Sequence, residues 1–297
     1  MSKSSLSGLI YIVIGIVILF VVFQLFQNSS QKTYPLLTDL RKDISHVNTL
    51  KIESTVTGLN ITESEDEFFY AVLEQSNKSE NNSLTLIMSD RNNQLTLEVA
   101  KQQKLAISMF NFSNLNSKLN IKVPKSFKGT LDVVSTTGST TINTISLNSL
   151  EVETTTGGLK LDRVNSDKIN IESTTGSIRI NNVTADRLKA ESTTGSIHVD
   201  SNLTSFDIES TTGSIHITQD DVFDDSKLTS STGSIHLNLK DDPKSLHVFV
   251  ETTTGSVQVK KTGYNMIQNS RQEQEFQFGD GATQLKVETT TGSFHFN

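Results

Sequence analysis

The chain has 297 residues, a net charge of −7 and a sequence pI near 5.4, so it offers no general attraction to nucleic acid or anionic lipid, which select basic surfaces. Cysteine is absent, which excludes disulfide frameworks, thiolate metal centres and cysteine nucleophiles together. Apolar residues make up only 34% and tryptophan is missing, while Ser, Thr and Asn recur throughout; that balance favours short strands and tight polar turns around a thin core.

In chain order, the first predicted element is a helix. Gly8 to Phe26 reads GLIYIVIGIVILFVVFQLF, with Gln24 as its one polar interruption and no charge between Lys3 and Lys32. At about 1.5 Å per residue it covers close to the 30 Å of a bilayer core. Residues 1–30 are therefore expected to be a transmembrane anchor that meets the lipid bilayer through residues 8–26. No small-x-small site follows in Gln27-Asn28-Ser29-Ser30-Gln31, so the segment reads as an uncleaved anchor. Lys3 and the α-amine on one side face Lys32, Arg41 and Lys42 on the other, and charge alone leaves the orientation open. Residues 31–45 read as a juxtamembrane linker.

Residues 46–128 read as an N-terminal β cap with irregular coils. LKIESTVTGLNI (50–61) is a degenerate copy of the motif that dominates the rest of the chain. The strands TLIM (85–88), QLTLEV (94–99) and KLNIKV (118–123) lie between polar turns such as Asp90-Arg91-Asn92-Asn93, which suggest antiparallel hairpins.

From residue 129 to 297 the chain repeats. STTGS ends at Ser139, ETTTGG spans 153–158, and ESTTGS spans 172–177, 191–196 and 209–214. TSSTGS follows at 229–234, with ETTTGS at 251–256 and 288–293. The glycines Gly138, Gly157, Gly176, Gly195, Gly213, Gly233, Gly255 and Gly292 recur about every 18 to 22 residues, with one double gap at the end. Period-2 alternation flanks each block: Ile169 and Ile171 before Gly176, Ile178 and Ile180 after it, then Leu188 with Ala190 and Ile197 with Val199. Val183, Leu203 and Val222 are the expected inward residues of the closing arc. One coil cannot bury that face alone, so equivalent coils must stack at about 4.8 Å with parallel pairing. The glycine is explained by a corner that needs φ > 0. The fold class is thus all-β, a single-stacked parallel β-solenoid (β-helix) of about 12 coils. It carries an N-terminal β cap and is preceded by one transmembrane helix. Glu275-Phe276-Gln277-Phe278 and the final Phe294-His295-Phe296 are expected to cover the far end.

A lone N-terminal anchor, the Lys122-Val123-Pro124 entry into LDVVSTTGS, serial ESTTGSI blocks and the GDGA…LKVETTTGS ending together resemble the bacterial "putative adhesin" β-strand-repeat family. Its LiaG-type members are membrane-anchored and encoded with cell-envelope stress operons of Gram-positive bacteria. The resemblance spans most of residues 46–297 and implies a β-repeat fold outside the membrane; it supplies no catalytic motif.

Three sets of side chains could carry chemistry. The residue three after each repeat glycine points outward and runs Thr141, Lys160, Arg179, His198, His216, His236, Gln258 and His295. His198, His216 and His236 then form a column with steps of about 4.8 Å, suited to a shared transition-metal ion or a pH-sensitive strip, or else merely a duplicated solvent-facing residue. Four residues before the glycine, Glu153, Glu172, Glu191, Glu209, Glu251 and Glu288 form a carboxylate ladder. Equivalent carboxylates lack the asymmetric pair that glycosidase chemistry needs, so a solvated charged face is the better account. Asp220, Asp221, Asp224, Asp225, Asp241 and Asp242 gather after two successive coils. Asp220, Asp221, Asp241 and Asp242 are the calcium candidates, although their spacing matches no EF-hand and ordinary acidic loops explain them as well.

The resulting expectation is a non-enzymatic, membrane-anchored cell-envelope protein, single-pass, with an extracellular solenoid used for binding or scaffolding. It would serve as an accessory of the envelope stress response or as an adhesin. No catalytic residue, cofactor or nucleic-acid partner is expected, and the partner is an envelope polymer or protein. The alternative is a polysaccharide-acting β-helix enzyme, by fold analogy alone.

Overall fold

A computed structural model describes residues 39–75, 84–101 and 117–297. The expected anchor at residues 8–26 and most of the expected linker lie outside them. Among the described residues there are strands and turns but no helix, and hence no helix long and apolar enough to cross a membrane.

The described strands number 21 and belong to one continuous sheet. The first seven are β1 (Asp39–Asp43), β2 (Thr49–Ser54), β3 (Gly58–Ser64), β4 (Phe68–Gln75), β5 (Leu84–Arg91), β6 (Gln94–Lys101) and β7 (Ser117–Pro124). β8 (Thr130–Thr137) leads into four long strands, β9 (Thr140–Thr156), β10 (Leu159–Thr175), β11 (Ile178–Thr194) and β12 (Ile197–Thr212). Shorter ones follow: β13 (Ile215–Gln219), β14 (Ser226–Thr232), β15 (Ile235–Leu239), β16 (Leu246–Thr254) and β17 (Val257–Val259). The chain finishes with β18 (Tyr264–Asn269), β19 (Glu273–Phe278), β20 (Thr283–Thr291) and β21 (Phe294–Phe296).

Each repeat forms one coil, made of a limb before the glycine, a corner, a limb after it and an arc. Alternation decides which side chains enter. Ile169, Ile171, Ile178, Ile180, Ile197 and Ile208 are fully buried, and so are the arc residues Val183, Leu203 and Val222. Parallel pairing keeps equivalent residues in line, Ile171 beside Ala190 and Glu172 beside Glu191, so the core is one apolar column running through the stack.

The corner glycines have φ between +124° and +157°, a region closed to most L-residues. They are required for a second reason. A Cβ on Gly176 would lie 2.0 Å from the carbonyl oxygen of Gly157, and one on Gly195 would lie 2.1 Å from that of Gly176. Gly176 N–H also donates to Thr194 O at 2.9 Å, which carries the ladder around the corner. Inward from the corner, Ser210 donates to Gly195 O at 3.2 Å, so the serine of the ESTTGS block ties its coil to the preceding one.

A second bend opens the arc. Thr144, Arg163 and Asn182 take left-handed backbone with φ of 51°, 54° and 54°. The next coil is one residue shorter, and the register shifts between Asn181 and Thr184. There Ser201 Oγ accepts the Val183 N–H at 3.0 Å, replacing a backbone group by a side chain.

Both ends depart from simple sequential stacking. β2 lies between β6 and β8, and β3 between β7 and β9, so the first coil in sequence is the second in space. At the other end β20 lies between β14 and β16, and β21 between β15 and β17, so the last coil in sequence is the next to last in space. The strands that pair side by side before the corner are β6, β2, β8, β9, β10, β11, β12, β14, β20 and β16, ten parallel layers rather than about 12. The final Phe294-His295-Phe296 is thus an internal layer and not a cap. Antiparallel strands do the covering: β5 on β6, β4 on β7 with β1 beyond it, and β19 on β16 with β18 beyond it. Asn92 and Asn93, both at positive φ, make the expected β5–β6 hairpin turn. Phe276, Phe278 and Phe296 pack together with centroids 5.9 to 6.2 Å apart at the far end of the core.

Gly195→Ala is expected to lose about 3 kcal/mol of unfolding free energy, from φ strain plus overpacking against Gly176. Gly263→Ala, at φ +83° with open space around it, should lose only about 1 kcal/mol. Urea denaturation of the two variants checks this; equal losses would contradict the close-approach argument.

Candidate functional site

The outward positions inherit the register of the core. On the limb after the corner, one column runs Asn120, Asn60, Thr141, Lys160, Arg179, His198, His216, His236, His295 and Gln258. Insertion of β21 beside β15 brings His295 onto His236, so the column holds four histidines and not three. The rings stack with centroids 4.8, 4.6 and 4.5 Å apart and planes within 7° of parallel. His295 Nδ1 meets Gln258 Oε1 at 3.1 Å, which ends the stack on a neutral amide.

His198 is held below the ordinary imidazole pKa by burial first, then by His216 and Arg179. Burial lowers His216, and burial followed by His216 and His295 lowers His236. Each of these imidazoles therefore favours its neutral form, as like charges in a stack require. A shared ion would need ring nitrogens no more than about 4.2 Å apart at zinc–nitrogen distances. Parallel rings separated by 4.5 to 4.8 Å do not converge that way, and among the described residues no three His, Asp or Glu side chains gather around a metal position.

On the limb before the corner, the carboxylate column runs Glu98, Glu53, Val134, Glu153, Glu172, Glu191, Glu209, Thr229, Glu288 and Glu251. The neighbouring column supplies lysines that relieve it. Lys51 reaches Glu53 at 3.0 Å, Lys189 reaches Glu191 at 2.5 Å, and Lys227 and Lys286 reach Glu288 at 3.0 and 2.7 Å. Burial, then Glu172 and Asp132, raises Glu153, and burial followed by Glu191 raises Glu209. At Glu288 burial pushes the other way but is overcome by hydrogen bonds from Lys286 and Lys227, so its pKa falls. Lys51, Lys189 and Lys286 sit two residues before Glu53, Glu191 and Glu288, a spacing that alternation of outward positions could have revealed in the sequence, whereas Lys227 reaches Glu288 from the adjacent strand.

The acidic loops are already engaged locally. Asp220 pairs with Lys240 at 3.2 Å and receives Asn202 Nδ2; Asp221 accepts the Val222 N–H at 2.8 Å. Asp225 accepts the Gln284 N–H at 2.8 Å, and Asp242 meets Lys261 at 3.3 Å. Asp241 bonds through its backbone N–H to Asp220 O at 3.0 Å, which joins the two loops by main chain. One depression, about 510 Å³, is open and lies over Arg187, Asp207, Lys227, Phe249, Glu251 and Lys286, a lining of mixed sign.

The histidine stack makes folding pH-dependent. Folded-state pKa values lowered from about 6.5 mean that the unfolded chain binds more protons below neutrality, so this contribution to stability is present above pH 6.5 and is lost as the pH falls through the folded values. The triple variant His198→Gln, His216→Gln, His236→Gln should show a smaller drop in Tm between pH 7.5 and pH 5.5 than the unmodified chain. Thermal melts at the two pH values measure it, and an unchanged drop would contradict the assignment.

Several solved structures are similar at low identity. One is a "putative cell adhesion protein" from Clostridium sporogenes ATCC 15579, with 15% identity, coverage of 87% of this chain and 97% of that one, and a TM-score of 0.34. A "putative adhesin" from Bacteroides fragilis NCTC 9343 has 12% identity, coverage of 91% and 100%, and a TM-score of 0.39. Another from Parabacteroides distasonis ATCC 8503 has 12% identity, coverage of 87% and 96%, and a TM-score of 0.42. No curated protein matches the chain. The Toastrack DUF4097 family model matches residues 47–296, the span from β2 to β21 that builds the stack. The chain belongs to the Toastrack DUF4097 family.

Proposed function

We propose that this protein is a component of the cell envelope, anchored in the bilayer through residues 8–26, with its solenoid on the outer face. There the solenoid binds or scaffolds an envelope polymer or a partner protein and catalyses no reaction. In the finer reading it is a LiaG-type accessory of the envelope stress response; an adhesin is the other form of the same binding role.

The observation that carries the proposal is the constancy of the outward ladders. The same side-chain position recurs layer after layer at the spacing of a parallel sheet, on a limb whose alternate residues are locked in the core. Such a surface matches a ligand that itself repeats along a line. Catalysis asks for the opposite, a few unlike groups converging in a recess. The carboxylates here are serial, several of them paired with lysines, and the depression over Arg187 and Lys286 is open.

The full-length chain, solubilised in a non-ionic detergent, should co-sediment with a purified cell-wall fraction and release no reducing sugar from it. Protease added to intact cells should cut the solenoid and leave the anchor. Sugar release abolished by Glu209→Gln would contradict the binding role and favour a polysaccharide-acting enzyme. A solenoid protected in intact cells but cut after lysis would contradict the topology.

A further inference from the structure

The column through the histidines is basic over six successive layers. Lys160, Arg179, His198, His216, His236 and His295 stand side by side on adjacent strands, while the chain as a whole carries a net charge of −7. Lys160 and Arg179 are exposed, and among the described residues neither has an ion-pair partner. The four rings are half-buried and stacked, and none of them makes an ion pair with a carboxylate.

The groups beside the column are known on every strand packed against it. Toward the corner lie the hydroxyls of Ser196, Ser214, Ser234 and Ser293. On the other side a second outward column runs Asp162, Asn181, Asp200, Thr218 and Asn238, with Asn297 beyond His295 and Lys260 after β17. Asp162 is held by Arg163 at 3.0 Å and by Asn182 at 3.2 Å, which leaves Asp200 as the single carboxylate of this column beside the histidines without such a partner. The stripe is thus two fixed cations followed by four titratable ones, flanked mainly by hydroxyls and amides that donate hydrogen bonds.

We propose that this stripe is a binding site for a linear, phosphate-bearing polymer, and that it closes on its ligand in mildly acidic surroundings. Lys160 and Arg179 hold the chain at any pH, Arg179 by the planar fork that suits phosphate oxygens. The imidazoles add charge only when protonated. Burial first, and stacked neighbours second, discourage protonation in the free protein, and the negative charge of a polyanion lying along the stack offsets that penalty. Binding therefore takes up protons, and affinity rises as the pH falls. Five steps of about 4.7 Å give a track of roughly 23 Å, long enough for several phosphates and far longer than one small anion. The track carries no Phe, Tyr or Trp, and the imidazole faces are turned toward one another rather than toward a nucleobase. This inference rests on the reading that the outward ladders are the binding surface, and it names the ligand class of one of them.

The test uses the full-length chain in non-ionic detergent and long-chain inorganic polyphosphate, with single-stranded DNA and poly-L-glutamate as comparison polyanions. Calorimetry is run at fixed ionic strength at pH 7.5 and pH 5.5, in two buffers of different ionisation enthalpy. Polyphosphate should bind about tenfold more tightly at pH 5.5, the equivalent of one pKa unit of coupling, with measurable proton uptake. His216→Gln with His236→Gln should abolish both the gain and the uptake. Gln258 already occupies this column, so glutamine fits the site, and unchanged circular dichroism verifies the fold. Lys160→Gln with Arg179→Gln should weaken binding at both pH values. A pH gain that survives the histidine variant, or stronger binding of DNA or poly-L-glutamate than of polyphosphate, overturns the proposal. Binding to the wall fraction without binding to polyphosphate also overturns it while leaving the envelope-binding role intact; binding to neither sinks both.

Discussion

The structure depends on a backbone contact at one corner of each coil. The carbonyl oxygen of one corner glycine occupies the place where a Cβ of the next would stand, as Gly157 O does for Gly176. Glycine is needed there for its φ and again for the missing atom, and only with both can coils approach to sheet spacing. That approach brings Gly176 N–H onto Thr194 O, lets Ser210 reach Gly195 O, and keeps the limbs on either side in unbroken register. Everything outward follows, because a column of side chains is only as regular as the backbone beneath it.

The same regularity explains what could be read from the residues alone. Ile169, Ile171, Ile178 and Ile180 alternate strictly, and all four are buried. The repeat glycines mark corners, the turn at Asn92-Asn93 is a hairpin, and Val183, Leu203 and Val222 close the arc. These are local consequences of period and turn chemistry. The order of layers at the ends is not local. Nothing in ETTTGS at 288–293 states that its coil lies between those of residues 226–239 and 246–259. The double gap before Gly292 was the available signal: it contains β18 and β19, and the antiparallel pairing of β19 on β16, with β18 beyond it, turns the chain back. The early copy at 50–61 behaves in the same way, inserted between β6 and β8. Each terminal layer is thereby held on both faces, and the exposed ends of the stack are given to antiparallel strands, which suit an edge better than an open parallel coil.

The rearrangement has a chemical consequence. Sequential stacking would have left His295 beside Gln258 at one end and three histidines elsewhere. Insertion of β21 joins them into four stacked rings continuous with Arg179 and Lys160. On the limb before the corner, the glutamates are tolerated because Lys51, Lys189, Lys227 and Lys286 stand in the next outward column. One face is thus partly charge-compensated, and the other holds a line of basic groups without ion-pair partners among the described residues. In a chain of net negative charge, that contrast singles out the histidine limb as the surface with something left to bind.

The inserted terminal coil, which creates the four-ring column, can be tested through the serines beside it. The chain has no cysteine of its own, so introduced pairs report cleanly. Ser293 N–H donates to Ser234 Oγ at 3.2 Å, and Ser293 Oγ lies 3.1 Å from Ser256 Oγ, which places Ser293 between the other two. Adjacent layers at about 4.8 Å suit a disulfide, whereas two layers, about 9.6 Å, do not. Under mild oxidation, Ser234→Cys with Ser293→Cys should form an intramolecular disulfide and Ser234→Cys with Ser256→Cys should not. Cross-linking of the second pair and not the first would show sequential stacking and contradict the account.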